Sequence, residues 1–399
     1  MKILHTSDWH LGKKLESLSR IEEQREVMKE ILEIAERESV DVVLIAGDIF
    51  DTYNPSTEAE ELYYKTIKRL SRDGSVPVIV IAGNHDSPER IDAPRPLAVE
   101  NGIIVVGEPN QKLSKFKTEK GIELIKSDEN FLELKLPNGR KNLRIITVPY
   151  TNELRAKEYL ESEKGDEGLR KYLRERWKKL SERYFDKKGV NILIGHLLIS
   201  ERFDSLPEEP EGEKPIFKAG LKEMLLINDL PDGLDYVALG HLHRYQVVFF
   251  DKYPIVYSGS PLAYGLSESE QDKFVVIVDF NKNPTELKPI MLKKAKKIYR
   301  KRFNSINDAL DWLKDNQNCF VEITIKIKEY ISSDDRKKLL NAHNGIIAII
   351  PEIETEEKQY DYTLINKDID ELFKEFFKRE TGKNPNDEIM EIFKEIVNS

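Results

Sequence analysis

One pattern recurs five times in the first 260 residues and restricts the fold more than anything else in the chain. A short, largely β-branched apolar run stops abruptly, and a glycine or turn residue hands over to aspartate, asparagine or histidine. The runs are residues 2–4 before Asp8, 42–46 before Gly47-Asp48 and 78–82 before Gly83-Asn84-His85-Asp86. Two more follow, 192–194 before Gly195-His196 and 236–239 before Gly240-His241-Leu242-His243. Continuous apolar runs of this length suit strands buried on both faces. Helical patterns lie between the early runs, over residues 20–39 and 57–72. The alternation predicts a layered α/β domain whose polar strand ends share one crevice, where sheets of this kind collect ligands.

Five of the seven histidines stand at these strand ends: His10, His85, His196, His241 and His243. His5 and His343 lie elsewhere and read as structural, one in a strand and one at a helix end. In extended backbone, residues i and i+2 project to the same side, so Asp8 and His10 are expected to reach one ion, and His241 and His243 likewise. Asp48 follows a glycine that permits a tight turn, which leaves its carboxylate at the rim, where two oxygens can bridge two metals. Carboxylate, carboxamide and imidazole without thiolate (Cys319 is the one cysteine) favour Mn²⁺ or Fe²⁺, with Mg²⁺ a poorer match because of the imidazoles and Zn²⁺ an open alternative. Two such ions, roughly 3.5–4 Å apart, clamp a phosphoryl group and activate water for in-line attack. Asn84 can offer its carbonyl oxygen to a metal. His85 projects differently and is read as the proton donor. Asp86 is expected to fix the His85 tautomer, or to cap a helix starting near Pro88.

Together these blocks resemble the calcineurin-like metallophosphoesterase superfamily. Ile3-Leu-His-Thr-Ser-Asp-Trp-His-Leu-Gly12, Ala46-Gly-Asp-Ile-Phe-Asp51, Ala238-Leu-Gly-His-Leu-His-Arg244 and Ser258-Gly-Ser-Pro261 look like its DNA-processing nuclease branch. The resemblance implies an αββα sandwich with a small α+β capping domain and a C-terminal helical tail. It implies one Mn²⁺ on Asp8, His10, Asp48 and His243 and a second on Asp48, Asn84, His196 and His241. His85 would be the catalytic acid or transition-state stabiliser, with Asp86 beside it. Relatives often carry histidine where this chain has Asp51, so Asp51 is expected to support a ligand. The implied activity is a Mn²⁺-dependent double-strand 3′→5′ exonuclease and single-strand endonuclease. It would act as a homodimer with an SMC-like ATPase on DNA. Thr52-Tyr53 stand where serine/threonine phosphatases continue with Arg-Gly. A phosphomonoesterase or small-molecule phosphodiesterase on the same core stays open as the alternative.

Composition changes near residue 285. The expected organisation is a catalytic domain over 1–285, an α+β cap over 290–355, a linker over 356–366 and partner-binding helices over 367–399. Within the cap the pattern predicts strands at 299–303, 320–327 and 345–350 and helices at 306–316 and 333–342. The tail carries Phe373, Phe376, Phe377 and Phe393 on amphipathic helices, a candidate docking surface for the ATPase. A charged helical stretch covers 152–189, and Pro-containing residues 200–218 read as a long loop.

The formal charge is −9, from 63 Lys+Arg against 72 Asp+Glu, which argues against non-specific DNA attraction by the whole surface. Local basic segments oppose that balance. Lys13 and Lys14 follow the first block and Lys293 and Lys294 open the cap; these are the candidate DNA contacts. The abundance of Lys and Glu is typical of proteins from hot environments. No segment approaches the roughly 18 apolar residues of a membrane span, and the start carries no apolar signal region, so a cytoplasmic protein is expected.

Overall fold

The computed structural model describes all residues except 138, 140, 151–165, 203–224, 250, 328–329, 354–368 and 398–399. The expected linker and most of the 200–218 loop lie outside the described residues. So does the first part of the 152–189 stretch.

Strands β1 (Lys2–Thr6), β2 (Val42–Ala46), β3 (Val78–Ile81) and β4 (Ile103–Val106) run parallel side by side. The helices α1 (Ile21–Arg37) and α2 (Thr57–Leu70) fall between them in sequence. Val27, Met28, Ile31, Leu32, Ile34 and Ala35 put the buried stripe of α1 at helical spacing, and Ser56 caps α2 by accepting from the Ala59 amide. Two short helices, α3 (Pro88–Asp92) and α4 (Arg95–Glu100), precede β4.

A second, seven-stranded sheet contains β5 (Glu123–Asp128), β6 (Phe131–Lys135), β7 (Leu143–Val148) and β8 (Val190–His196), and α5 (Asp166–Tyr184) lies between the last two in sequence. Beyond a small pair, β9 (Ile199–Ser200) and β10 (Leu225–Leu226), the same sheet adds β11 (Tyr236–Gly240), β12 (Gln246–Phe249) and β13 (Ile255–Tyr257). The chain then returns to the first sheet. There β14 (Phe274–Asp279) pairs antiparallel with β1, and β15 (Glu286–Met291) pairs with β14. The first sheet thus continues past the boundary expected at residue 285.

Alternate residues of each central strand feed different cores. Ile3, Val42, Leu44 and Ala46 meet Ile192, Ile194, Tyr236 and Ala238 between the sheets. Leu4, Val43 and Ile45 pack beneath α1 and α2 on the outer face. On the far side, Trp177 and Leu180 of α5 cover Ile146, Leu193 and Val237. The layers are helix, sheet, sheet, helix. Part of the charged stretch is therefore a core-covering helix.

His5 follows the alternation of β1 into the inter-sheet core, where its Nδ1 lies 2.9 Å from the Tyr236 hydroxyl of the opposite sheet. Burial pushes this ring down to about 3, with the Leu239 backbone opposing only in part. The unfolded ring takes up a proton below about pH 6.5, whereas the folded chain keeps it neutral until about 3. The contribution is therefore complete above 6.5 and is lost as pH falls from there toward 3. Between pH 7.5 and 5 this ring is expected to cost about 2 kcal/mol of stability. The measurement is urea unfolding in chelator, comparing the pH slope of the chain with that of His5→Phe. Equal slopes would remove His5 from the account.

Once the chain leaves the first sheet, β16 (Lys297–Phe303), β17 (Cys319–Ile327) and β18 (Ile346–Ile353) form a three-stranded sheet in that order. The helices α6 (Ile306–Asp315) and α7 (Ser333–Ala342) are capped by Ser305 and Ser332. Buried Ile298, Ala309, Leu313, Val321, Ile323 and Leu339 fill this part of the chain. His343 is buried at the end of α7, where its Nδ1 accepts from the Gly345 amide.

Contact density divides the chain into two compact units, residues 1–325 with 332–350, and residues 326–331 with 351–399. The second unit contains the hairpin of α8 (Ile369–Thr381) and α9 (Asp387–Val397). Phe373 stacks on Phe393 with centroids 3.9 Å apart, and Lys394 pairs with Asp370 at 3.0 Å. Ile369, Leu372, Phe376 and Ile392 are exposed. Among the described residues no helix is long and apolar enough to cross a membrane.

Candidate metal centre

The carboxyl ends of β1, β2, β3, β8 and β11 converge, and each delivers polar side chains to one buried cluster. Asp8, His10 and His243 place ligand atoms within 4.8 Å of one another, and so do Asp48, His196 and His241. Asn84 joins the second group, its Oδ1 lying 2.7 Å from Nε2 of His196. All are buried.

The route by which they converge differs from strand alternation. β1 ends at Thr6, and Asp8, His10, Asp48 and His241 all adopt positive φ, at 52°, 42°, 49° and 99°. Such values are uncommon for residues with a Cβ and cost of order 1–3 kcal/mol each. The turns are held by backbone bonds, Asp8 N–H to Gly47 O and His10 N–H to Asp48 O, both 3.0 Å. Ligand-bearing loops of adjacent strands thus brace one another. Glycine is required where the two sheets close on the site. A Cβ on Gly240 would lie 1.9 Å from the Ala46 carbonyl, and one on Gly83 would lie 2.1 Å from Asp48 Oδ1.

Lone pairs point inward. His196 holds the Ala46 carbonyl at Nδ1, 2.9 Å away. That partner only accepts, so Nδ1 carries the hydrogen and Nε2 faces Asn84 Oδ1 and Asp48 Oδ2, the latter 3.3 Å away. Nε2 of His10 faces Nε2 of His243 at 3.1 Å. Asp48 Oδ2 is buried, accepts no hydrogen bond, and lies 3.7 Å from Nε2 of His10. A cluster of buried acceptors aimed at one another is stable only with positive charge among them. Without a metal ion, protons supply it. Burial lowers His196, but Asp48 and Asp8 outweigh it and lift the ring to about 9. Burial raises Asp48, yet the rings of His196, His10 and His85 hold it well below the usual carboxylate range. Asp8 is pushed up to about 6 by burial, against His196 and His243. Burial drives His10 well below its ordinary value, so its ring is neutral, the form that ligates a metal. These residues fit two adjacent divalent cations with Asp48 between them.

His85 belongs to neither of these two groups, but with His10 and Asp51 it forms a third set whose potential ligand atoms lie within 4.8 Å of one another. Its ring packs edge-on to His10, with centroids 4.8 Å apart. Its Nδ1 lies 2.7 Å from the Asp51 backbone carbonyl, and its backbone amide donates to Asp48 Oδ1 at 2.8 Å. The tautomer is therefore set by Asp51 O. Asp86 does neither of the things expected of it. Its carboxylate accepts the amides of Ile49 (3.1 Å), Phe50 (3.0 Å) and Gly83 (2.8 Å), and Ser87 caps α3. Asp86 staples the Asp48 loop to the Asn84-His85 loop. The reason is geometric: the turn carrying Asp48 leaves two amides without a ladder partner, and a buried carboxylate two residues after Asn84 reaches both.

The Asp51 carboxylate pairs with Lys13 at 3.2 Å and lies 3.9 Å from Nδ1 of His10. Lys13 is thus tied to the rim, while Lys14 is exposed. The amides of Lys293 and Lys294 donate to Glu30 of α1. Gln24, one turn and a half nearer the start of that helix, donates to the His10 carbonyl, so these two lysines stand about 9 Å further along it. One residue escaped the sequence reading. Glu268, in a loop before β14, accepts from Nδ1 of His243 at 3.0 Å. No spacing signal marks it, because it lies 25 residues from the ring it touches.

The calcineurin-like phosphoesterase family model matches residues 1–245. The chain is 33% identical to SbcD of the Bacillus subtilis nuclease SbcCD, over 100% of this chain and 98% of that protein. It is 27% identical to the Staphylococcus epidermidis protein of the same name, over 96% and 94% of the two chains. With that of Staphylococcus saprophyticus it shares 33% identity over 75% and 70%. A strand-end cluster of aspartates, asparagine and histidines, the family match over that same region and full-length identity to these nucleases lead to one conclusion: the chain is a calcineurin-like phosphoesterase of the SbcD family, a metal-dependent hydrolase.

Proposed function

We propose that the chain is the nuclease of an SbcCD-type complex, hydrolysing DNA phosphodiester bonds at a two-metal centre. The observation that carries the metal part is Asp48 Oδ2, a buried acceptor without a hydrogen bond, set between ring nitrogens of both ligand groups. Asp8, His10, Asp48 and His243 would hold one cation, and Asp48, Asn84, His196 and His241 the other. Mn²⁺ suits this oxygen–imidazole set, with Fe²⁺ or Mg²⁺ as substitutes. When bound, the pair supplies positive charge for the phosphate and an activated water. His85, whose Nδ1–H is held by the Asp51 carbonyl, would act as the acid in its doubly protonated imidazolium form, giving the Nε2 proton to the leaving oxygen and returning to the neutral ring. Lys13 and Lys14 would meet the backbone nearest the scissile phosphate, with Lys293 and Lys294 further out.

The nucleic-acid part is supported by the full-length relatives, named as nucleases. Double-strand 3′→5′ exonuclease and single-strand endonuclease activities are proposed with it. Their name also supports an SbcC-type SMC-like ATPase as partner, docked on the hairpin of α8 and α9 through Phe376 and its exposed neighbours. Phe373, Phe377 and Phe393 would hold that hairpin together. A homodimer through the catalytic domain completes the reading, with a cap following near residue 290. Because the chain carries an acidic excess, its grip on DNA alone should be weak.

Linear duplex DNA is expected to be degraded with Mn²⁺, more strongly with the ATPase partner, and not in chelator. End-labelled substrates should shorten from the 3′ end. Nucleotides or phosphomonoesters turned over far faster than DNA would replace this reading with the phosphomonoesterase alternative.

A further inference from the structure

The two ligand groups differ in what stands behind their rings. His196 is held by a neutral carbonyl, that of Ala46. His243 is held by an ionised side chain, Glu268, whose Oε1 also accepts the Tyr264 amide at 3.0 Å. Burying that carboxylate is costly unless it is paired, and Lys273 supplies the pair. Its ammonium contacts Glu268 Oε2 and donates to the His243 carbonyl at 3.0 Å and to Ser260 Oγ at 3.1 Å. Lys273 therefore grips both ends of the contact, the ring's own backbone and the carboxylate behind the ring. Both residues are only 4% exposed, so Lys273 is a structural counter-ion and takes no part in DNA contact.

The loop that carries Glu268 is fixed on its outer side as well. The Glu270 amide donates to the Ile298 carbonyl at 2.9 Å, Lys301 pairs with Glu270 at 2.8 Å, and Lys297 pairs with Asp272 at 2.9 Å. These partners all belong to β16. The carboxylate thus approaches His243 from a frame that is braced on two sides.

We propose that Glu268, seated by Lys273, is a positioning residue that orients His243 and makes the two metal positions unequal, strengthening the one on Asp8, His10 and His243. A carboxylate on Nδ1 fixes the tautomer and increases the donor strength of Nε2, and removing such partners typically lowers metal affinity about 10–100-fold. The inference rests on the two-metal reading above.

Mn²⁺ binding to the metal-free full chain, followed by calorimetry and by Mn²⁺ electron paramagnetic resonance, tests it. Glu268→Gln keeps an acceptor but removes the charge. The double variant Glu268→Gln/Lys273→Met also removes the ammonium that would otherwise be stranded, and it keeps the test alive if the single variant does not fold. In the folded variant, one of two Mn²⁺ equivalents should weaken by about 10–100-fold while the other is retained, and the melting temperature of the metal-free double variant should stay close to that of the native chain. Two unchanged equivalents would overturn the proposal. So would both weakening together alongside a falling melting temperature, which would make Glu268 a general prop. A native chain that binds fewer than two equivalents would instead defeat the two-metal reading itself.

Discussion

His85→Ala is expected to lower DNA hydrolysis by about 10²–10⁴-fold while both Mn²⁺ equivalents stay bound. The separation of the two effects follows from how the residue is attached. Its contribution to the ligand frame is made by the backbone, whose amide donates to Asp48 Oδ1, and alanine keeps that amide. Its ring makes a different contact, with the Asp51 carbonyl, and no ligand group pairs it with Asp48. Truncation removes the proposed proton donor and leaves Asp48, whose carboxylate lies between the two groups, in place. Single-turnover cleavage of labelled duplex, run beside Mn²⁺ titration of the same preparation, gives both numbers. Loss of a metal equivalent in His85→Ala would make the ring a ligand and remove its assignment as the acid. Activity within a few fold of native would remove it from the chemistry altogether.

The ligand types were legible because they sit where local pattern ends: an apolar run, a glycine, then a side chain with a lone pair. Their convergence could be anticipated from strand ends, yet its mechanism could not. Asp8 and His10 were expected to share a side through extended backbone, whereas both take positive φ and are held by amides that reach across to the Asp48 loop. Positive φ in aspartate or histidine has no local sequence signature. It is imposed by tertiary contacts. β15 departs from the apolar-run pattern for a different reason. β15 is Glu-Leu-Lys-Pro-Ile-Met, mostly exposed and carrying Pro289, which suits a sheet edge and breaks the pattern of a buried strand. It begins one residue after the boundary expected at 285 from composition, and it pairs with β14. Glu268 and Asp86 were obscured for a third reason. Their decisive partners, the His243 ring for Glu268 and the Ile49 and Phe50 amides for Asp86, lie 25, 37 and 36 residues away in the chain, and an acidic residue looks the same in sequence whether it faces water or a buried amide.

Asp86→Ala is expected to be the most damaging single change outside the ligands, and to damage stability and metal binding together. The carboxylate is buried and accepts three backbone amides, from Ile49, Phe50 and Gly83. Alanine leaves all three donors without it, at about 1–3 kcal/mol for each buried unpaired group. Part of that loss is offset, because burial and the nearby charge of Asp48 already push the Asp86 carboxyl up to about 6, and its removal relieves that repulsion. A net loss of about 3 kcal/mol or more is the expected result. Its consequence for the site is specific. Ile49 and Phe50 directly follow Asp48, and Gly83 directly precedes Asn84, so the staple fixes the spacing between the Asp48 carboxylate and the Asn84 carboxamide. Mn²⁺ affinity should fall with stability, and added Mn²⁺ should restore part of the melting temperature, since a cation that binds only the folded state stabilises it by mass action. Asp48→Ala provides the contrast: it removes the carboxylate that lies between both ligand groups, so added Mn²⁺ should restore little of its melting temperature. Thermal unfolding of the two variants with and without Mn²⁺ separates these outcomes. A metal-free Asp86→Ala chain as stable as the native one would mean that the three amides find other partners and that the two loops keep their spacing without the carboxylate.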